Sequence, residues 1–170
     1  TRTGFLRVLE RMGADVRESN RRTVGGEPVA DLVVRQGAAL RGTTVPAEEV
    51  PTLVDEVPVL AVAACAAEGV TRFEGIGELR VKESDRLEAT VHALGRLGAQ
   101  VRAGEDWLEV RGPARLHGAR LSSLGDHRLA MAWAVAGLAA DGVTTVEGFD
   151  AVAVSYPGFA GDLAGLGAAL

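Results

Sequence analysis

The chain has 170 residues, 47% of them hydrophobic and 24% charged, and carries a formal net charge of −5. It is long enough for one domain with a true core and has the composition of an ordinary soluble globular protein. The acidic balance excludes a general nucleic-acid binder, whose affinity comes from neutralised phosphates, so any anion site must be local.

One cysteine, Cys65, rules out an intrachain disulfide and suits a reducing cytoplasm. It lies in the apolar run AVAACAA, where it reads as a small buried hydrophobe. The longest apolar runs, Val57 to Ala67 and Leu129 to Ala140, fall short of the ~20 residues that span a bilayer, so no membrane partner is expected. No segment runs from a basic patch into an apolar core and a small-residue site, so no leader is expected, and the chain starts without Met inside a helical pattern. We therefore expect a piece of something longer.

In chain order, Phe5, Leu6, Val8, Leu9 and Met12 form one helical stripe that Gly13 ends. Ala14 to Arg17 reads as a strand, followed by a polar loop through Asn20, Arg21 and Arg22 to Gly25-Gly26. Those two arginines could touch an anion, although loop arginines usually face water. Asp31 to Arg35 and Leu40 to Val45 read as short strands. An almost wholly apolar helix, Glu56 to Ala67, is entered through Val54-Asp55, and Val70 to Glu74 follows as a strand.

The stretch ELRVKESDR comes next. Leu79-Arg80-Val81 looks β-like, and Ser84 and Asp85 can cap a helix that opens at Arg86 and stops at Gly98. Ala99 to Arg102 and Trp107 to Val110 suggest a hairpin. Gly125-Asp126-His127-Arg128 then introduces a second apolar helix, LAMAWAVAGLAA, with a strand at Val143 to Glu147. Tyr156 to Leu170 reads as one more helix and the start of a strand.

Internal repeats organise these elements. ERMGADV (Glu10 to Val16) recurs as GRLGAQV (Gly95 to Val101), and AGLGAAL (Ala164 to Leu170) begins a third time. AAEGVTRFEG (Ala66 to Gly75) matches AADGVTTVEG (Ala139 to Gly148) at seven of ten positions. We expect a single domain over residues 1–170, with units at about 1–84, 85–155 and a partial 156–170. Apolar helices need cover on all sides whereas alternating strands can expose one face, which predicts an α/β architecture with helices inside and sheets outside.

Three charged corners fall at element ends: Asp55, the group Lys82-Glu83-Arg86, and Asp126-His127-Arg128. Repeats stacked about a common axis would bring them to the same end of the domain. Lys82, Arg86 and Arg128 would then form a basic pocket for a carboxylate or phosphate, with Asp55 and Glu83 as acid/base groups. Each also has a plain structural reading. Asp55 and Asp126 suit N-caps, His127 a hydrogen-bonded surface residue, and Arg128 a stem over apolar surface; Lys82 and Arg86 could pair with Glu83 and Asp85 in solvent. His92, His117 and His127 lack metal-ligand spacing, and no nucleotide-binding glycine fingerprint is present.

RVKESDRL with GDHRLAM, preceded by VDEVPVLAVAA and followed by VSYPGF, resembles the 5-enolpyruvylshikimate-3-phosphate synthase family along the whole chain. The resemblance implies an inverse α/β barrel-like domain of repeated βαβαββ units, here most of the C-terminal half of an enzyme whose N-terminal domain is absent. It implies transfer of the enolpyruvyl group from phosphoenolpyruvate to the 5-hydroxyl of shikimate-3-phosphate, with phosphate released and no cofactor. On that resemblance Arg86 and Arg128 clamp the phosphoenolpyruvate carboxylate, as arginine forks do well. Asp55 contacts ring hydroxyls and accepts the 5-hydroxyl proton. Glu83 protonates the methylene carbon and later removes that proton, Lys82 contacts hydroxyls and developing charge, and His127 lies beside the clamp.

Two positions depart from some members of the family: Val154 stands where they have lysine, and Glu78 where they have asparagine. Both resemble the bacterial branch called class II, whose inhibitor response differs. The alternatives are a UDP-N-acetylglucosamine enolpyruvyl transferase, the more distant RNA 3′-phosphate cyclase, and a non-catalytic anion-binding module on the same scaffold. Because essential substrate contacts come from the other domain, the piece alone should lack turnover.

Overall fold

The computed structural model describes residues 3–35 and 37–166. One order of elements runs through it twice. Helix α1 (Gly4–Arg11) leads into strands β1 (Asp15–Val24), β2 (Glu27–Arg35) and β3 (Thr44–Val45), helix α2 (Val57–Cys65) and strand β4 (Gly69–Phe73). Helix α3 (Arg86–Arg96) then leads into β5 (Gln100–Ala103), β6 (Leu108–Gly112), β7 (Arg120–Ser122), α4 (His127–Leu138) and β8 (Thr145–Glu147). A short helix α5 (Phe159–Gly165) follows, and the strand start expected at 167–170 lies outside the described residues.

The sheets repeat in the same way. β3 pairs parallel with β4, as β7 does with β8. β6 adds antiparallel to the other edge of β4 and carries β5, which gives the order β3-β4-β6-β5. Two glycines mark the equivalence physically. A Cβ on Gly42 would lie 2.3 Å from the Val70 carbonyl oxygen, and one on Gly118 would lie 2.3 Å from that of Val143. In each unit the backbone passes so close to the segment at or just before the next strand that only glycine fits.

The apolar helices are inside. α2 packs against α4, α3 and the inner face of β4 and β6, and it buries Val57, Leu60, Ala61 and Ala64. Trp133 of α4 is fully buried, with its indole N–H donated to the Ser122 carbonyl at 3.2 Å. Each large side chain so buried contributes about 1.5–3 kcal/mol. Cover is uneven, however: α2 is enclosed, whereas Leu138 at the end of α4 is half exposed. Burial pushes the Cys65 thiol up to about 11, as befits a core residue. Among the described residues no helix is long and apolar enough to cross a membrane.

Three local expectations are corrected. Leu79 to Val81 is not a strand but part of a 3-10 turn, Gly77–Val81. β4, the strand just before it, already has β3 on one edge and β6 on the other. The turn instead buries Leu79 and leaves Val81 exposed. Asn20 to Arg22 is not a loop, because β1 continues to Val24 across a bulge between Ser19 and Arg22, with Asn20 at φ 50°. There Arg22 pairs with Asp31 at 2.8 Å and Arg21 with Glu18 at 2.8 Å, so both arginines serve the hairpin. Finally, Leu40 to Val45 shrinks to β3 and an isolated bridge from Arg41 to Glu68.

Candidate active site

The first turns of α2, α3 and α4 meet at one end of the domain. Asp55 belongs to a 3-10 turn, Val54–Glu56, that runs straight into α2. Arg86 is the first residue of α3, which Asp85 caps by accepting the Glu88 amide at 2.8 Å. Asp126 caps α4 and accepts the amides of Arg128 at 2.9 Å and Leu129 at 3.4 Å. Three helix N-termini, each a partial positive charge, thus face a common region.

The Arg86 guanidinium ties the corners together. Its Nε–H donates to Asp126 Oδ2 at 2.7 Å, its Nη1 to Asp55 Oδ1 at 2.9 Å, and its Nη2 to Glu83. Its side chain is 1% exposed and that of Asp126 is 0% exposed, whereas Glu83 is 59% exposed. Arg128 Nη1 binds Glu56 at 3.0 Å, and its Nη2 stands 3.6 Å from Asp55. Lys82 pairs with Glu78, and its Nζ lies 3.8 Å from Asp55. Ser84 gives its hydroxyl to Asp126 at 3.1 Å.

Burial pushes the Asp126 carboxyl up, but the hydrogen bond and charge of Arg86 and the two helix amides outweigh it. The net result lies below the ordinary aspartate value of 3.8. Arg86 mirrors this: burial works against its charge, and Asp126, Glu83 and Asp55 overcome that and raise its proton affinity.

Asp55, Lys82, Glu83, Arg86 and Arg128 are therefore brought together, although more than seventy positions separate Asp55 from Arg128. His127 sits half-buried at the first position of α4, and its side chain makes no hydrogen bond or ion pair among the described residues. Sequence reasoning missed Glu56 and Ser84 and read Asp126 as a cap. The available signals were a second carboxylate adjacent to Asp55 and a hydroxyl adjacent to the α3 cap. The expected basic pocket is also corrected. The three cations are met by five carboxylates, Asp55, Glu56, Glu78, Glu83 and Asp126. An anion entering here must exchange with resident carboxylates. Concavity alone points elsewhere, since a groove of about 580 Å³ under α4 is lined by Trp133, Leu138, Val143 and Phe149 and carries no charge.

Known proteins share this arrangement of elements. A family model described as EPSP synthase (3-phosphoshikimate 1-carboxyvinyltransferase) matches residues 1–163. The 3-phosphoshikimate 1-carboxyvinyltransferase of Synechocystis sp. is 53% identical over 163 residues, covering 96% of this chain and 36% of that protein. The protein of that name from Desulforudis audaxviator is 55% identical over 160 residues, covering 94% and 37%. Among solved structures, EPSP synthase from Acinetobacter baumannii superposes with a TM-score of 0.92 at 38% identity, covering 96% of this chain and 38% of that one. The enolpyruvyl transferase NikO from Streptomyces tendae gives 0.75 at 28% identity, covering 99% and 36%. The chain thus spans a little over a third of the length of its relatives.

Proposed function

This chain belongs to the EPSP synthase family, and we propose that it supplies one half of the active site of a longer enzyme. That enzyme moves the enolpyruvyl group of phosphoenolpyruvate to the 5-hydroxyl of shikimate-3-phosphate and releases phosphate. The observation that carries the reading is the meeting of Asp55, Glu83 and Asp126 on the single guanidinium of Arg86, which joins the RVKESDR and GDHR motifs at one mouth.

In this reading Arg86 and Arg128 hold the phosphoenolpyruvate carboxylate. Asp55, between Lys82 and both arginines, takes the proton of the 5-hydroxyl as its oxygen bonds to C2 of phosphoenolpyruvate. Glu83, the most exposed of the carboxylates on Arg86, gives a proton to the C3 methylene. Return of that proton to Glu83 re-forms the double bond as the C2–O bond to phosphate breaks, and the proton held by Asp55 leaves with the phosphate. Lys82 contacts the substrate hydroxyls, and His127 lines the mouth beside the clamp. No cofactor enters this sequence.

The surplus of carboxylates explains why this half should not act alone. Bringing an anionic substrate beside five carboxylates calls for cations from elsewhere, and we assign these to the N-terminal domain of the same protein. In the full-length protein, Glu83→Gln should keep binding of phosphoenolpyruvate with shikimate-3-phosphate, read by calorimetry. It should cut phosphate release by roughly 10²–10⁴-fold. Full phosphate release by that variant would overturn the acid/base role of Glu83.

A further inference from the structure

Asp126 does more than a helix cap needs. Capping α4 uses only Oδ1, which accepts the Arg128 and Leu129 amides. Oδ2 is turned to the other corner, where it accepts Arg86 Nε at 2.7 Å and the Ser84 hydroxyl at 3.1 Å. Arg86 Nη2 approaches Oδ1 at 3.4 Å, so the carboxylate covers the Nε–Nη2 edge of the guanidinium. The pair is closed to solvent, with side chains 1% and 0% exposed. The other edge, Nη1 and Nη2, meets Asp55 and Glu83, which are 12% and 59% exposed.

We propose that Asp126 is a positioning residue that sets how the two arginines of the clamp stand to each other. This rests on the functional reading above. One carboxylate holds Arg86 by its Nε edge and holds the first turn that carries Arg128, so the pair is presented as a unit. Only the Nη1–Nη2 edge of Arg86, shared by Asp55 and Glu83, faces the mouth, and a substrate carboxylate enters there by taking the place of the exposed Glu83 on Nη2 rather than that of Asp126. A planar acid is thereby received in one orientation, because the guanidinium cannot rotate to offer its other edge.

The test uses the full-length protein with phosphoenolpyruvate and shikimate-3-phosphate as probes. Asp126→Asn keeps the size and can still cap α4, but it loses the charged acceptor for Nε. The KM for phosphoenolpyruvate should rise on the order of 30-fold or more, as when one partner of a buried charge pair is removed. A purely structural role would lower the amount of folded enzyme and leave KM unchanged, and an unchanged KM overturns the proposal. Should the variant fail to fold, the arginine Nε–H spectrum of the wild type decides, with the Arg86 signal assigned from Arg86→Lys. That proton should exchange slowly and persist when phosphoenolpyruvate saturates the site, and its loss on saturation overturns the proposal. Absence of phosphate release by the wild type would instead sink the functional reading itself. Normal wild-type turnover with an unaltered KM in Asp126→Asn sinks only the positioning role.

Discussion

Asp85 and Asp126 hold the same local post and do different work. Each is the N-cap of an α-helix, each accepts a backbone amide from the first turn, and each is paired with an arginine. Asp85 bonds Arg80 at 2.9 Å in partial contact with water, its side chain 39% exposed, while Asp126 bonds Arg86 with no solvent access. Arg80 also donates to the carbonyls of Gly104 and Glu105, which ties its turn to the β5–β6 hairpin. Water can replace a partner at Asp85 and nothing can at Asp126. The local motif dictates a cap; the environment decides whether the cap also organises a site.

The largest expected effect comes from removing the arginines. In the full-length protein Arg86→Met leaves Asp126 buried beside an apolar side chain, which should destabilise by about 3–5 kcal/mol. Arg80→Met leaves Asp85 to water and frees the Gly104 and Glu105 carbonyls at the surface, and should cost about 1–2 kcal/mol. Denaturant midpoints of the two variants measure this directly, and equal losses would break the contrast between the corners.

Acid separates them next. Because the carboxyl of Asp126 is depressed in the folded protein, its stabilisation is complete above the ordinary aspartate value of 3.8 and is lost as pH falls through the lower folded value. The stability gap between wild type and Asp126→Asn should therefore hold from neutrality to about pH 5 and close below it. Denaturant titrations at stepwise lower pH would show this, and a gap that widens on acidification would contradict the ion pair as its origin.

Much of this was legible from local signals. Gly13 and Gly98 end α1 and α3, each at positive φ, and both aspartate caps sit where the pattern put them. The convergence of the three corners followed from the repeats, since neither motif alone indicates a contact between residues forty apart. What was hidden depended on neighbours distant in sequence. Whether Leu79 to Val81 could be a strand was decided by strands already on both edges of β4. The polar run Asn20 to Arg22 stays in the ladder because Asp31, across the hairpin, receives both Asn20 and Arg22. The charge balance of the site was hidden because the pairing of Glu56 with Arg128 joins residues far apart in sequence, and that of Glu78 with Lys82 depends on the 3-10 turn between them.

The smallest effect tests what a cap is worth once burial is taken away. Asp85→Ala removes the acceptor for the Glu88 amide and should cost about 1 kcal/mol, within the range of other N-cap losses. Its half-exposed bond to Arg80 adds only a few tenths of a kcal/mol. Asp85→Ser should then recover most of the loss, because serine caps as well as aspartate but cannot form the ion pair. Neither variant should move the KM for phosphoenolpyruvate, since Asp85 touches Arg80 and the α3 amide but none of the residues gathered on Arg86. If Asp85→Ser stayed as unstable as Asp85→Ala, the arginine rather than the cap would carry the stability of this corner. The two aspartates would then differ in degree of burial but not in kind.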